Sequence, residues 1–310
     1  MQVFRGIPER APRASVLTIG NFDGIHRGHQ ALLSLLVDKA RALGHDAVVM
    51  TFEPHPREYF TPDSAPARLS SFREKLLLLA SAGVDRVHVC RFNAAFAALD
   101  ANTFVDRILL RGLDTRHLII GDDFRFGAGR QGDFPWLQAA GAAHGFAVEA
   151  MHTLADAGLR VSSSAVRDAL AAGDLQHAQA LLGRPYSIAG SVTHGKRLGR
   201  SIGFPTANIP LRHRKPALSG VFAVGVEGLT EGWLSAVANL GWRPTVNTLT
   251  RPVLEVHLFD WQQDCYGAHL RVHFLHRLRA ERKFESLDEL RAQIQLDAHQ
   301  ARDWFAQHPI

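Results

Sequence analysis

The sequence of 310 residues is poor in cysteine, with only Cys90 and Cys265. The two lie far apart and belong to no metal-spaced set, so they fit a reduced, cytoplasmic setting. No apolar run approaches about 18 residues, the length that a membrane-spanning helix requires. The N-terminal residues 1–6 also lack the apolar centre of a signal peptide. We therefore expect a cytoplasmic protein with no membrane segment.

The sequence also lacks any block of five or more Lys and Arg residues, although its net charge is +5. Residues 1–183 contain 19 Lys and Arg against 19 Asp and Glu, whereas residues 184–310 contain 16 against 11. A basic second half is compatible with nucleic acid or with a phosphorylated small molecule. Without a basic block, the small molecule is favoured and no nucleic-acid partner is expected.

The 46% hydrophobic and 21% charged composition is typical of folded globular proteins, and the length suits two domains. In residues 1–183, predicted strands alternate with helical stretches, which indicates a doubly wound parallel sheet; the strands are 15–17, 47–52, 85–89 and 118–120. In residues 184–310, short apolar runs follow one another without long helices between them. This second pattern predicts an antiparallel barrel or sandwich. A helix from about Leu287 ends the chain, and its apolar stripe should pack on the barrel; the stripe is Leu287, Leu290, Ile294, Ala298, Ala301 and Phe305.

A glycine-bearing turn at residues 20–29 joins the first of these strands to a leucine-rich helix. No Gly-Lys-Ser/Thr follows it, so it is not a P-loop, and it lacks the dinucleotide fingerprint. Its glycines and the helix N-terminus would suit a phosphate. His26 and His29 are three residues apart and would share a helix face, where they could donate to charge developing on phosphorus. The alternative is two solvated histidines.

Three more segments of the first half carry polar groups next to predicted elements. Residues 51–56 read Thr-Phe-Glu-Pro-His-Pro, which alone would be a rigid turn. Residues 121–127 place two carboxylates, an arginine and two aromatics between glycines, although capping carboxylates would look similar. Residues 161–167 start a helix with serines and Arg167, an anion clamp if they are more than N-caps.

In the second half, residues 194–208 contain three glycines and three cations, which suits a polyphosphate unless the segment is a plain surface loop. Thr206 and Asn208 offer the neutral oxygens that magnesium accepts. In the strand at 253–259, Glu255 lies on the face opposite Leu254 and Val256. This carboxylate could serve a site or simply face solvent.

The ordered set of motifs closely resembles the bacterial bifunctional riboflavin kinase/FAD synthetases, whose first domain belongs to the wider nucleotidylyltransferases; the segments are 20–29, 51–56, 121–127, 161–167, 195–208, 239–245 and 254–267. The resemblance implies an FMN adenylyltransferase domain at 1–183 and a riboflavin kinase β-barrel domain with a terminal helix at 184–310. The barrel would phosphorylate riboflavin to FMN with ATP and Mg²⁺. The first domain would then adenylylate FMN with a second ATP, giving FAD and pyrophosphate. We expect riboflavin, FMN and ATP as the partners of a monomer or weak homo-oligomer.

The same resemblance implies roles for individual residues. The implied catalytic residues are His26, His29, Arg167 and Glu255. Those implied to bind the nucleotide or flavin are Gly20, Asn21, Phe22, Asp23, Asp123, Ser162, Ser164, Gly195, Lys196, Thr206, Asn208, Asn239 and Arg243, with Thr206 and Asn208 also holding the metal. Ser164 replaces the usual Thr and keeps its hydroxyl, and Cys265 replaces an aliphatic residue in a packing position.

Two other interpretations stay open at this point. One is a different adenylyl- or cytidylyltransferase with an unrelated basic barrel, which would make the resemblance at 195–208 accidental. The other is a nucleic-acid-binding module, and the salt dependence of a DNA or RNA shift assay would distinguish it from an enzyme.

Overall fold

The computed structural model describes residues 1–151, 155–156, 159–195, 203–211, 215–242 and 252–310, with backbone alone for 155–156 and 159–160. The chain divides into two compact units. The first comprises Met1–Pro66 and Phe72–Ser162, and the second comprises Ala67–Ser71 and Ser163–Ile310.

The first unit contains a six-stranded parallel sheet. Its strands are β1 (Gln2–Arg5), β2 (Ser15–Ile19), β3 (Asp46–Glu53), β4 (Arg86–Arg91), β5 (Thr115–Gly121) and β6 (Ala147–Met151). Their order in the sheet is β1-β4-β3-β2-β5-β6, so the direction of winding reverses between β2 and β5. In open sheets of this kind, ligands bind beyond the carboxyl ends of the strands that flank this reversal. The turns after β2 and β5 are the predicted motifs 20–29 and 121–127, which the topology makes neighbours.

Helices cover both faces of this sheet. They are α1 (Arg27–Leu43), α2 (Pro56–Phe60), α3 (Phe72–Ser81), α4 (Ala94–Ala97), α5 (Ala101–Phe104) with a π-helical continuation (Val105–Gly112), and α6 (Phe134–His144). Because β2 is covered on both sides, all five of its residues are buried. Leu32, Leu33 and Leu36 of α1 pack on one face of the sheet, while the π-helical segment packs on the other.

Two short strands, β7 (Ala155–Asp156) and β8 (Leu159–Arg160), form a separate antiparallel pair at the end of this unit. The second unit then begins with helices α7 (Ser163–Ala172) and α8 (Leu175–Leu182). These helices group with the C-terminal half, and the domain boundary at 183/184 stays a prediction about independent domains.

The second unit is an antiparallel barrel of six strands that is nearly closed, which confirms the predicted fold class. Its strands are β9 (Ser187–Ser191), β10 (Ala207–Pro210), β11 (Gly220–Glu227), β12 (Leu234–Trp242), β13 (Pro252–Leu258) and β14 (His269–Arg279). They pair in the order β10-β13-β12-β11-β14-β9. The edge strands β9 and β10 approach each other at a bridge between Thr193 and Asn208, where the Thr193 N–H donates to the Asn208 carbonyl at 2.8 Å.

The barrel has an apolar interior and a covered outer patch. Phe222, Leu254, Val256 and Phe274 are at most 1% exposed. On the outer patch, Val221, Ala223 and Val237 pack against the terminal helix α9 (Leu287–Gln307), whose contributing residues are Ala298, Ala301 and Phe305.

The terminal helix differs from its predicted stripe in its first turns. The expectation that Leu287 packs on the barrel is wrong, because this side chain is 60% exposed. Leu290 and Ile294, in the next turns, line a pocket instead. Helix α9 therefore packs on the barrel through its second half, where Arg279 and the buried Asp297 form an ion pair with the Arg279 Nη2 2.7 Å from the Asp297 Oδ2.

Candidate active sites

A cleft of about 750 Å³ lies at the carboxyl edge of the parallel sheet. Its lining includes the turns after β2 and β5, as the sequence predicts. The predicted residues that line it are Gly20, Asn21, Phe22, His26, His29, Asp123 and Ser162. Asp23, which follows Phe22 in the sequence, is 4% exposed and does not line the cleft.

His26 and His29 are held together at the start of α1. His26 is the N-cap rather than a helical residue, and its Nδ1 accepts a hydrogen bond from the His29 N–H at 3.3 Å. The two imidazole rings stack with 3.7 Å between their centroids. A Cβ on Gly28 would lie 3.2 Å from the His26 Nδ1, so a glycine here lets the helix start close against this ring.

The environment of His29 disfavours its protonated form. Its Nδ1 is buried and makes no hydrogen bond among the described residues. Burial, and after it the nearby charges of His26 and Lys75, hold the pKa of His29 well below its ordinary value of 6.5. His29 is therefore a neutral imidazole near pH 7, able to donate one N–H without bringing a charge of its own.

The turn before His29 requires unusual backbone conformations. Phe22 and Ile25 have φ of 47° and 40°, in the left-handed region that non-glycine residues rarely adopt. Phe22 is fully buried, and its ring lies 5.0 Å from that of His29. The Asn21 carbonyl, just before this strained residue, accepts from Lys75 Nζ at 2.6 Å and from Thr51 Oγ1 at 3.3 Å.

Part of the lining of the cleft is an aromatic wall, most of which the sequence reasoning missed. The rings that line it are Phe52, Phe60, Phe92, Phe96, Phe104, Phe124 and Phe126. Phe52 meets Phe92 edge to face, with 5.7 Å between centroids. Phe52, Phe124 and Phe126 lie in the motifs 51–56 and 121–127. The other four come from separate segments without a motif. Such a wall offers apolar ring faces and edges in the same cleft as the turn at residues 20–29.

Ser164 and Arg167 were predicted to bind phosphate together with the turn at residues 20–29. Both lie on α7 in the second unit. Within that unit, the Arg167 Nε donates to the Ala67 carbonyl at 2.6 Å. Their part in phosphate binding stays a prediction.

A second pocket, of about 1000 Å³, lies on the outer face of the barrel beside the N-terminal half of α9. The predicted residues that line it are Gly195, Thr206, Asn208, Asn239 and Glu255. The predicted residues Lys196 and Arg243 lie outside the described part of the chain.

Strand register brings three of these residues side by side. Glu255 on β13 is paired with Asn208 on β10 and with Asn239 on β12. Directly paired residues have Cβ atoms about 5 Å apart and point to the same side of the sheet. The carboxylate of Glu255 therefore lies in a row between two amides, on the pocket face, while Leu254 and Val256 point into the barrel.

Asn208 is fixed by the segment around it. Its side chain is 7% exposed, and its Nδ2 donates to the Thr206 carbonyl at 3.0 Å. Gly195 crosses directly over this amide, since a Cβ there would lie 2.6 Å from the Asn208 Nδ2. The end of β14 also contributes to the pocket with Arg279 and Glu281, which the sequence reasoning did not single out.

The described part of the chain has no helix long and apolar enough to cross a membrane. Among the same residues, no cluster of three His, Cys, Asp or Glu side chains could hold a metal by itself.

Two protein-family models match the chain. The FAD synthetase model matches residues 9–165, and the riboflavin kinase model matches residues 182–305. The match over the barrel removes the basis for an unrelated basic domain.

Similar proteins cover nearly the whole chain. Relatives described as bifunctional riboflavin kinase/FMN adenylyltransferase are 51% identical in Escherichia coli (strain K12), covering 98% of each chain, and 49% identical in Pseudomonas fluorescens, covering 97% of each. A crystal structure described as a macrolide-efflux protein from Streptococcus pneumoniae has a TM-score of 0.83 and 30% identity, and covers 98% of this chain and 100% of its own.

The description of that crystal structure names a different activity, but its agreement in fold extends over both units. The two family models and the sequence relatives at 49–51% identity agree with one another, and the motifs at both pockets agree with them. The chain therefore belongs to the bifunctional riboflavin kinase/FMN adenylyltransferases, with one domain for each of the two activities.

Proposed function

We propose that the cleft of the first unit joins FMN and ATP to form FAD, and that the barrel pocket phosphorylates riboflavin with ATP and Mg²⁺. The observation that carries this proposal is the row Asn208–Glu255–Asn239 on three paired strands, in a pocket separate from the His26–His29 pair. Each unit thus has its own polar constellation beside a large cavity. We also propose that the domains divide at 183/184.

In the adenylyl-transfer step, an FMN phosphate oxygen attacks the α-phosphorus of ATP and pyrophosphate leaves. The N–H groups at the start of α1 and its helix dipole would hold the phosphates. A neutral His29 would donate its N–H to the oxygen on which charge develops, with His26 fixing the ring by stacking at 3.7 Å. The reaction needs no covalent intermediate, so positioning and charge stabilisation carry it.

The aromatic wall of the cleft supports a flavin as the acceptor. Phe52, Phe92 and Phe96 present ring edges and faces in one cluster. A planar tricyclic ring would gain stacking and apolar burial there. Asp123, on the exposed loop after β5, would supply a polar contact to the ligand.

In the kinase step, the riboflavin 5′-hydroxyl oxygen attacks the γ-phosphorus of ATP and ADP leaves. Glu255 would orient this hydroxyl and accept its proton, and the amides of Asn208 and Asn239 flank it in the same row. The next residue on this face, His257, is engaged by its Nδ1 with the Pro205 carbonyl at 2.8 Å. That bond ties the Thr206 segment to β13.

The residues present fit magnesium. Asn208 lies next to Glu255 in the row, and Thr206 lines the same pocket, so both can offer neutral oxygens there. Mg²⁺ prefers a few oxygen ligands completed by phosphate and water. When bound, the ion would neutralise charge on the transferred phosphate. We further propose a cytoplasmic enzyme that is a monomer or weak homo-oligomer and has no nucleic-acid partner.

The test is incubation of the full chain with riboflavin, ATP and Mg²⁺, followed by chromatography of the flavins. FMN should appear first and FAD after it, and a chelator should stop the formation of both. Formation of FAD from supplied FMN but not from riboflavin would refute the kinase assignment. Tight, salt-dependent binding of DNA or RNA without any turnover would instead favour the nucleic-acid alternative.

A further inference from the structure

Lys75 is a buried cation in the middle of the leucine-rich helix α3. Its side chain is 5% exposed, and its Nζ donates to the Asn21 carbonyl at 2.6 Å. Burying an ammonium group is costly unless it is well hydrogen-bonded. Helix α3 buries Glu74, Lys75 and Leu79, so two of its three buried side chains are charged. Packing of an apolar face does not explain why a lysine is buried here.

The carbonyl that Lys75 holds belongs to the turn that carries the candidate site. It precedes Phe22, whose φ of 47° is strained, and the Phe22 ring packs 5.0 Å from His29. A strained residue keeps its conformation only when its surroundings fix it. The second donor to the same carbonyl, Thr51 Oγ1, is longer at 3.3 Å, so Lys75 makes the stronger of the two bonds.

The charge of Lys75 also reaches His29. The charged groups that act on this imidazole are His26, from the start of α1, and Lys75, from α3, and both add to burial in lowering the pKa of His29. The same positive charge is favourable for a polyphosphate bound at the turn.

We propose that Lys75 is a positioning residue for adenylyl transfer. It fixes the Asn21–Phe22 turn, which packs against His29, and it keeps a positive charge near this imidazole. This inference rests on the proposed role of the cleft. It gives a function to a lysine that belongs to none of the sequence motifs and does not line the cleft itself.

The experiment compares Lys75→Met, which keeps length but loses charge and hydrogen bond, with Lys75→Arg, which keeps the charge. Lys39→Met is the matched control, because Lys39 is a half-exposed lysine of the same unit, 3.6 Å from Glu149. Lys75→Met should lower kcat for FAD formation by about 10²-fold, the scale of a small misplacement of a reacting group. In Lys75→Met, the KM for FMN and the riboflavin kinase activity should change little. The control Lys39→Met should match the parent protein in both activities.

The imidazole titration of His29, followed by NMR and assigned with His29→Ala, gives the readout that a purely structural role would not move. In Lys75→Met the pKa of His29 should rise, whereas in Lys75→Arg it should stay low. If Lys75→Met does not fold, Lys75→Gln takes its place in the comparison with Lys75→Arg. Lys75→Arg should then keep the low pKa of His29 and a higher kcat than Lys75→Gln. An unchanged kcat and His29 titration in Lys75→Met, while His29→Ala loses FAD formation, would overturn this inference alone. Unchanged FAD formation in both Lys75→Met and His29→Ala would overturn the proposed role of the cleft as well.

Discussion

The neutral state of His29 follows from where its side chain lies, between Phe22, His26 and the buried Lys75. Because it brings no charge, its contribution to adenylyl transfer would come from one directed N–H. His29→Ala should therefore reduce FAD formation from FMN by at least about 10²-fold, the scale for deleting one donor to a transition state. Separate assays of the two reactions on one preparation check this. FMN formation should persist, and an equal loss of both activities would argue against two independent sites.

In the barrel pocket, Glu255 is the residue whose proposed role, as the general base of the kinase step, can be tested by substitution. Glu255→Gln keeps the size and a hydrogen-bonding side chain but removes the group that would accept the proton. Riboflavin phosphorylation should fall by roughly 10²–10⁴-fold, the range for general base catalysis. Riboflavin binding, measured by fluorescence quenching, should change little, and adenylylation of supplied FMN should be unaffected. Near-normal kinase turnover would show that Glu255 is not the base.

At the scale of elements, the row Asn208–Glu255–Asn239 depends on how closely Gly195, which follows β9, approaches the sheet. A side chain on Gly195 would meet the amide of Asn208 at 2.6 Å. Gly195→Ala should therefore displace Asn208 and lower kinase kcat by about 10-fold or more. Gly232→Ala is the matched control, since a Cβ at Gly232 meets nothing within 4 Å. Equal kinase rates for the two variants, measured at saturating ATP, would contradict the close-packing argument.

Sequence patterns recovered the elements that repeat a simple rule. The strand–turn–helix at residues 15–43 and the alternation in β13 are local, so hydrophobic period and glycine position indicate them directly. Edge strands β1 and β6 were not predicted. β1 is exposed throughout and β6 is only partly buried, so neither shows the apolar run that marks a central strand.

The sites were predictable only in the parts that lie within a motif. His26, His29 and Glu255 stand in short segments whose spacing has a chemical meaning. Lys75 and four phenylalanines of the aromatic wall, Phe60, Phe92, Phe96 and Phe104, lie outside these motifs. Only the folded chain brings them near the turn at residues 20–29. The row Asn208–Glu255–Asn239 needed the strand register, which a hydrophobic pattern alone does not specify between distant strands.

At the scale of the whole molecule, buried histidines in both units share one electrostatic property. His29 and His88 in the first unit and His273 in the second have pKa values below the ordinary 6.5, in each case chiefly because of burial. For His273 the neighbouring Glu227 opposes this shift without cancelling it. The unfolded chain therefore binds protons more strongly than the folded chain at mildly acidic pH.

The sign of the stability change follows from this difference in proton binding. Since the folded pKa values lie below the unfolded ones, the free energy of unfolding should be constant above about pH 7 and should fall as the pH drops through 6.5. Each tenfold difference in proton affinity between the two states corresponds to about 1.4 kcal/mol. Urea unfolding midpoints measured from about pH 7.5 to about pH 5.5 should decrease steadily.

His88→Asn replaces a 1% exposed imidazole by a side chain that does not titrate, so it should lower the midpoint at neutral pH and also reduce its slope with pH. His144→Asn, the same substitution at an exposed position in α6, is the control. A midpoint that stays constant over this range in the parent protein would show that the buried histidines do not govern its acid stability.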